Sequence, residues 1–214
     1  METIREDYWK EKCRGVVDAL RDNGFQAELA ASANEATNML VSMIPADALV
    51  GRAGSMTITD MGVVAPLREK GCTVIDPYEG DLSPEDQVKA RHRVLSCDVF
   101  LASSNAITRD GTIVNIDGTG NRVAAMIFGP KRAILVVGRN KIVPDLTSAM
   151  ERLETVACPL NARRLKRNTP CHTLGYCPDG CTSPDRMCNV TVIIEKQPTG
   201  SSITVIVVNE DLGF

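Results

Sequence analysis

The sequence predicts a three-layer α/β/α fold built on a mainly parallel sheet. Short continuous apolar segments, each long enough for one buried strand, lie at residues 48–50, 72–75, 99–102 and 133–137. Segments with helical apolar spacing or helix-capping residues separate them. Strands that alternate with helices in this way are typical of parallel sheets covered on both faces. The predicted fold is therefore Rossmann-like and doubly wound.

Helices in the first half of the chain are predicted from the signals at their ends. Asn23-Gly24 stops an N-terminal helix, Ser32 can cap the next one, and Pro45 ends it. Ser83-Pro84 begins another helix, with early acidic residues that suit the helix dipole. The predicted order is helix 2–23, strand 25–30, helix 32–43, strand 48–50, helix 57–70, strand 72–75, helix 83–96 and strand 99–102.

The second half continues this alternation and then changes character. The turn signal at 109–111 predicts a β-hairpin. A loop at 115–120, a helix at 121–128, a strand at 133–137 and a helix from Pro144 to about Val156 follow. We predict an α/β ligand-binding core at 1–157, a basic and cysteine-rich connection at 158–189, and a C-terminal β pair at 190–214 that completes the same domain. The pair is expected to be antiparallel and to lie at the sheet edge.

Composition narrows the function classes. The net charge is -3 and aromatic residues make up 4% of the chain, which disfavours nucleic-acid binding. The N-terminus has no apolar segment of the signal-peptide type, and no segment has the roughly 18 apolar residues that a membrane span needs. We therefore expect a cytoplasmic protein without a membrane partner. The sequence does not determine whether it forms a homo-oligomer. The eight cysteines are then expected to be reduced, which favours metal ligation or burial over disulfides.

Two small-residue loops are candidate anion sites. Gly54, Ser55 and Thr57 follow a predicted strand and precede a helix, where backbone N–H groups and hydroxyls can bind a phosphate or carboxylate. The alternative is an ordinary tight turn. The second loop has the same position relative to its strand and contains Asp117, Gly118, Asn121 and Arg122.

Arg122 suits a bidentate carboxylate or phosphate. Alternatively, Asp117 caps the following helix and Arg122 is merely solvated. Because ligands of open α/β sheets bind at the carboxyl ends of strands, we expect both loops and Asn105 to converge on one pocket.

Four cysteines lie close together in the predicted connection. Cys171, Cys177, Cys181 and Cys188 are spaced by six, four and seven residues among prolines and glycines. Such a density of thiols without a core of its own indicates an iron–sulfur cluster or a structural zinc ion, and the spacing does not decide between them. Reduced thiols, or disulfides formed on oxidation, are the alternative. The four other cysteines, including Cys158, are predicted to be ordinary buried residues.

Several motifs carry a family resemblance. They are Asn105 to Thr108, Asp110-Gly111, Val114 to Arg122 and Phe128 to Pro130, with Gly138, Asn140 and Lys141 after the next strand. These motifs closely resemble the LUD family of lactate-utilization proteins. The four cysteines of the connection and Ser183 to Arg186 extend the resemblance to the short clostridial-type members.

The resemblance implies a fold of the sugar-phosphate isomerase and CoA-transferase superfamily. It also implies a role beside iron–sulfur subunits that oxidise L-lactate, and it adds Lys141 to the ligand-binding residues.

A more distant resemblance concerns the chemistry. Residues 105–119 are similar to a loop of methylthioribose-phosphate isomerases and translation-initiation-factor B subunits, with Gly111, Asn115, Gly118 and Thr119 matching in place. The isomerase's catalytic aspartate would fall at Asn105, whose amide cannot shuttle a proton as a carboxyl group does.

Two functions follow as expectations. The first is a subunit that binds a small anionic metabolite and acts with iron–sulfur electron-transfer partners in the oxidation of lactate or a related organic acid. The second is a free-standing isomerase or acyl/CoA-transferase that uses the same pocket. An interaction module whose cysteine segment docks a redox partner is a third interpretation.

Overall fold

The computed structural model describes residues 2–178 and 180–214, so residue 179 of the predicted cysteine-rich connection lies outside the described residues. The strands are β1 (Gln26–Ala30), β2 (Leu49–Arg52), β3 (Thr73–Ile75), β4 (Val99–Ala102), β5 (Ala106–Thr108), β6 (Ile113–Asp117), β7 (Arg132–Gly138), β8 (Ile142–Val143), β9 (Val190–Ile194) and β10 (Ser202–Val208). The helices are α1 (Glu2–Asp22), α2 (Ala33–Met43), α3 (Met56–Asp60), α4 (Val64–Glu69), α5 (Pro84–Val94), α6 (Asn121–Ile127), α7 (Leu146–Arg152), α8 (Cys158–Arg164) and α9 (Pro170–Leu174).

Six strands form one parallel sheet in the order β1-β10-β7-β4-β2-β3. The predicted α/β fold with a parallel sheet is therefore confirmed. Separate apolar clusters cover the two faces of the sheet, one including α1 and α6 and the other including α2, α3 and α4. The structure thus has the three layers that the alternating pattern predicts.

The capping predictions are also confirmed. Ser32 accepts a hydrogen bond from the Glu35 N–H at the start of α2, and Ser83 accepts one from the Asp86 N–H at the start of α5. The hairpin is present as the antiparallel pair of β5 and β6. These two strands belong to a second, four-stranded sheet in the order β8-β5-β6-β9.

The predicted C-terminal β pair is wrong. β9 and β10 do not pair with each other: β9 pairs antiparallel with β6, and β10 lies parallel between β1 and β7. The burial pattern gives the physical reason, because Ile203 and Val205 to Val208 are all buried, whereas β9 is largely exposed. A strand that is apolar on both sides is stable inside a parallel sheet, whereas a partly exposed strand suits an edge.

The helix predicted to end near Val156 continues further. α7 passes through a π-helical turn, Leu153–Ala157, directly into α8. The predicted start of the basic and cysteine-rich connection, residue 158, therefore lies inside one continuous helical segment. Within the described residues, no helix is both long enough and apolar enough to cross a bilayer.

The position of β10 predicts a contrast between two isoleucines. Ile206 of β10 is fully buried, whereas Ile193 of β9 is 43% exposed. We expect Ile206→Ala to lower the free energy of unfolding by about 2–5 kcal/mol, because it leaves a cavity in the core. Ile193→Ala should cost less than about 1 kcal/mol. Urea unfolding of both variants checks this, and equal losses would contradict the central position of β10.

Candidate anion and thiol site

A cavity of about 410 Å³ lies at the carboxyl ends of the central strands. Loops after β2, β4, β6 and β7 form one part of its wall, and α8 with the cysteine segment forms the other. The structure places every residue predicted to bind ligand or metal on this wall: Gly54, Ser55, Thr57, Asn105, Asp117, Gly118, Asn121, Arg122, Lys141, Cys171, Cys177, Cys181 and Cys188. Parallel strands explain the convergence, since their carboxyl ends meet at one edge.

The guanidinium group of Arg122 donates its hydrogen bonds to acceptors of the protein itself. Its Nη1 donates to the Ser103 carbonyl and Asn115 Oδ1, at 3.1 and 2.8 Å. Its Nη2 donates to Asn105 Oδ1 and the Ile116 carbonyl, at 2.8 and 2.7 Å. Neither alternative from the sequence anticipates this arrangement, because the guanidinium is neither solvated nor open to bidentate binding. Arg122 therefore contributes its charge to the cavity and fixes the shape of the loops.

Asn105 is oriented by these contacts. Its Oδ1 also accepts from the Ile116 N–H at 3.0 Å, and its own N–H donates to Asn115 Oδ1 at 3.1 Å. With Oδ1 occupied, the Nδ2 group has no hydrogen-bond partner among the described residues and remains a donor at the cavity wall. The Nδ2 of Asn115 is buried and also lacks a partner within the part of the chain described.

Asp117 organises the loop that follows β6. Its Oδ1 accepts from the Thr119 and Gly120 N–H groups, and its Oδ2 accepts from the N–H groups of Arg122 and Val123. Its Oδ2 lies 3.7 Å from Arg122 Nε. The helix-capping alternative thus describes the carboxylate well. Asn121 lines the cavity with no side-chain hydrogen bond among the described residues.

The loop after β2 lines the opposite part of the wall. Ser55 caps α3 by accepting from the Ile58 N–H, so its hydroxyl has a structural role. A Cβ added at Gly54 would lie 3.0 Å from the Tyr78 ring, so only glycine lets this aromatic side chain pack against the loop. Thr57 Oγ1 donates to the Leu212 carbonyl and accepts from Lys141 Nζ at 2.9 Å.

Lys141 is the most unusual group of the site. Its side chain is buried, and its Nζ donates to Ser103 Oγ at 3.0 Å in addition to Thr57. Burial, together with the nearby cations Arg152 and Arg122, lowers the pKa of Lys141 to about 7, whereas Asp60 opposes this shift. Near neutral pH this amine therefore loses its proton readily.

Positive charge predominates around the cavity. Five arginines and the basic side chain of Lys141 line it, against two side-chain carboxylates. They are Arg91, Arg122, Lys141, Arg164, Arg167 and Arg186, against Asp117 and Asp185. Such an excess in a concave site attracts anions.

The cysteine segment is attached to the core through backbone contacts. The Asn189 N–H donates to the Asp117 carbonyl at 2.9 Å, and its Nδ2 donates to the Gly118 carbonyl at 3.0 Å. A Cβ at Gly118 would lie 3.1 Å from the Met187 carbonyl oxygen, so the absence of a side chain permits this close approach. Arg186 donates to the carbonyls of Cys181 and Cys188, which holds the segment together.

A fifth cysteine, Cys158, joins the four predicted ones at the cavity wall. A hydrogen bond to Cys188, together with burial, raises the pKa of Cys158, whereas the pKa of Cys188 is lowered by the same bond and by nearby Arg186. The prediction that Cys158 is an ordinary buried residue did not anticipate this pairing, because the partner is thirty positions away in sequence.

The π-helical turn before Cys158 explains how the segment reaches it. In a π-helix, the Glu154 carbonyl would accept from the N–H of residue 159, but Pro159 has none. The Cys177 N–H donates to this carbonyl instead, at 2.8 Å. Pro159 thus frees the backbone acceptor that connects the segment to the helix.

The described cysteines do not form a site for a single ion. No group of three or more His, Cys, Asp or Glu side chains in residues 2–178 and 180–214 is arranged to hold one metal ion. A tetrahedral zinc ion with bonds of about 2.3 Å needs its sulfur atoms about 4 Å apart. The thiols of Cys158, Cys171, Cys177, Cys181 and Cys188 line the wall of the cavity instead.

Among the cavity residues that sequence reasoning missed, three bear on the chemistry of the site. Cys158, Tyr78 and Ser103 all line the cavity. The sequence contained a signal for Ser103, because this residue directly follows the apolar strand β4 and lies close to Asn105. Tyr78 had no comparable signal, because its place depends on packing against Gly54.

The parallel sheet, covered by helices on both faces and with a cationic cavity at its carboxyl edge, defines a three-layer α/β protein. The model of the LUD domain matches residues 13–208, and the chain therefore belongs to the LUD family. The fold is also similar to the crystal structure, at 1.70 Å resolution, of a DUF162 family protein from Deinococcus radiodurans. That match has a TM-score of 0.52 and 16% identity, and it covers 94% of this chain and 98% of the other. No curated protein matches the chain.

Lys141 predicts a dependence of stability on pH. Its pKa is lowered in the folded state from 10.5 to about 7, so between these values the unfolded chain binds a proton that the folded chain does not. Stability should therefore rise with pH in this window, by at most about 1.4 kcal/mol per pH unit. We expect the free energy of unfolding of the wild type, minus that of Lys141→Met, to increase from pH 7 to pH 9. Chemical unfolding at several pH values measures it, and a constant difference would contradict the lowered pKa.

Proposed function

We propose that this LUD-domain protein binds a small anionic metabolite beside an iron–sulfur centre. We propose further that it acts as a subunit with iron–sulfur electron-transfer partners in the oxidation of lactate or a related organic acid. One observation carries the proposal: the anion loops and all the cysteines of the connection line a single cavity. A ligand and a redox centre in the same cavity would be close enough to exchange electrons.

The anion part of the proposal is supported by charge and by available donors. Five arginines against two side-chain carboxylates favour a carboxylate or phosphate group. The Nδ2 group of Asn105 and the side chain of Asn121 are placed to orient such a ligand. The Arg122 guanidinium attracts it without direct bidentate binding, since its Nη atoms already have protein acceptors.

The number and arrangement of the cysteine thiols support the proposed iron–sulfur centre. Cysteine thiolates are the usual ligands of iron–sulfur clusters, and in a [4Fe–4S] cluster each of the four thiolates binds a different iron atom. This chemistry suits thiols spread around a wall better than the closed geometry of one zinc ion does. Cys171, Cys177, Cys181 and Cys188 would hold the cluster, and the surrounding arginines would offset its negative charge. When bound, the cluster would supply one-electron transfer.

A free-standing isomerase or acyl/CoA-transferase is the second candidate. The buried amine of Lys141 favours it, because such a group can take part directly in chemistry. Two observations weigh against it. No glutamate lines the cavity among the described residues, although the CoA-transferase nucleophile is a glutamate. The residue in the place of the isomerase's aspartate, Asn105, is an amide locked by Arg122.

Anion binding can be tested at Asn105. Asn105→Asp keeps the size of the side chain but replaces the free Nδ2 donor with a negative oxygen. We expect it to weaken binding of L-lactate or pyruvate by at least about tenfold, the loss of a charge-assisted hydrogen bond. Asn38→Asp makes the same charge change on the exposed surface of α2 and should leave the affinity unchanged. Calorimetric titration measures both variants, and an equal affinity in Asn105→Asp and the wild type would exclude this part of the wall as the binding site.

The cluster can be tested by substituting one thiol inside the cavity and one outside it. Cys177→Ser should lose iron, acid-labile sulfide and visible absorption from protein isolated without oxygen. Cys72→Ser should retain all three, because the Cys72 thiol is buried elsewhere and donates only to the Pro45 carbonyl. Metal and sulfide analysis of each protein gives the result. Stoichiometric zinc without sulfide would favour the zinc alternative, and a folded wild type with neither metal would refute the site.

A further inference from the structure

Lys141 has the hydrogen-bonding arrangement of an unprotonated amine. It is 3% exposed, and its Nζ contacts two hydroxyls, Thr57 Oγ1 and Ser103 Oγ. Each hydroxyl gives its own proton to a backbone carbonyl, Thr57 to Leu212 and Ser103 to Ser104. Both hydroxyls must therefore accept from Lys141. A neutral amine has two N–H bonds to give and one lone pair, so the two hydroxyls satisfy its donors and leave the lone pair over. An ammonium group would have a third N–H with no acceptor among the described residues.

The charged groups around Lys141 also favour the neutral form. Arg152 on α7 and Arg122 on α6 repel a proton on Nζ, and Asp60 at the end of α3 is the carboxylate that opposes them. No carboxylate lies within ion-pair distance of Nζ in the part of the chain that the structure describes. A buried lysine without an anionic partner is the environment in which amines act as nucleophiles.

We propose that Lys141 is a catalytic nucleophile that forms an imine with the carbonyl carbon of a small anionic carbonyl compound. The ligand class is a 2-oxo carboxylate or a phosphorylated ketone. This inference rests on the proposed anion site, because the cations of the same cavity must hold the negative end of the ligand. The uncharged carbonyl end then faces Lys141, where Thr57 and Ser103 hold the amine in place.

The proposed step is a balanced condensation. The Nζ lone pair attacks the carbonyl carbon and forms the C–N bond, while the carbonyl oxygen takes up a proton and the nitrogen loses one, giving a carbinolamine. The nitrogen then forms the C=N bond as the C–O bond breaks, and the oxygen leaves as water after accepting a second proton. Amine, carbonyl compound and one proton thus give a protonated imine and water, with no oxidation or reduction.

Reductive trapping tests the imine. The full-length protein is incubated at pH 7 with pyruvate and cyanoborohydride, and in a second arm with dihydroxyacetone phosphate. We expect one adduct per chain, heavier by the mass of the ligand less one oxygen atom, and located at Lys141 by peptide mapping. Lys141 should react at least about a hundredfold faster than an exposed lysine, which is almost fully protonated at this pH. The arm that labels Lys141 identifies the ligand as an oxo acid or a phosphorylated ketone.

Two variants provide the controls. Lys141→Arg keeps a long side chain with N–H donors and removes the nucleophile, so it should abolish the adduct. Lys70→Arg should keep it, because the Lys70 amine lies outside the cavity and donates to the Val41 carbonyl. Mapping the adduct in the wild type makes the result independent of how well the first variant folds.

The outcomes separate this inference from the anion site. If the protein binds pyruvate or the phosphate in an Asn105-dependent way but neither arm labels Lys141, the imine is excluded and the anion site stands. If the label is spread over exposed lysines, the nucleophile is likewise excluded. If neither compound binds nor labels the protein, both proposals fail for this ligand class.

Discussion

The buried guanidinium of Arg122 is the interaction on which the rest of the site depends. Four hydrogen bonds connect it to the loop after β4 and to β6, so one side chain joins both segments at the sheet edge. A buried charge is costly unless it is fully hydrogen-bonded, so each of these acceptors is required and its position is restricted. Asp117, which caps the same helix, lies against the Nε side and supplies part of the counter-charge.

This arrangement separates the roles of two buried basic side chains, Arg122 and Lys141. Acceptors of the protein take the hydrogen bonds of Arg122. This side chain is therefore a fixed source of positive potential, and it holds Asn105 in place. The Lys141 Nζ is hydrogen-bonded to two hydroxyl groups and to no carboxylate among the described residues. No ion pair therefore offsets the repulsion from Arg122 and Arg152. The same guanidinium therefore shapes the pocket and lowers the pKa of the amine that faces it.

The thiol segment is joined to that pocket by contacts of the backbone. Asn189 binds the carbonyls of Asp117 and Gly118, and Cys177 binds the acceptor that Pro159 frees in the π-helical turn. The cysteine segment is therefore hydrogen-bonded to the loop that Arg122 organises. Cys171, the first of the four predicted cysteines, lies 49 residues after Arg122 in sequence, yet both line the same cavity.

The sequence by itself determined the alternation of strands and helices, the helix caps and the loops of the site, because each of these follows from residues close together in the chain. The convergence of those loops was also predictable, since parallel strands bring their carboxyl ends to one edge. Only the tertiary structure decided that β10 lies between β1 and β7, that Arg122 is occupied by the protein, and that Cys158 pairs with Cys188. Such pairings join residues far apart in the chain, and they depend on which buried surfaces and hydrogen-bonding groups meet when the whole chain folds.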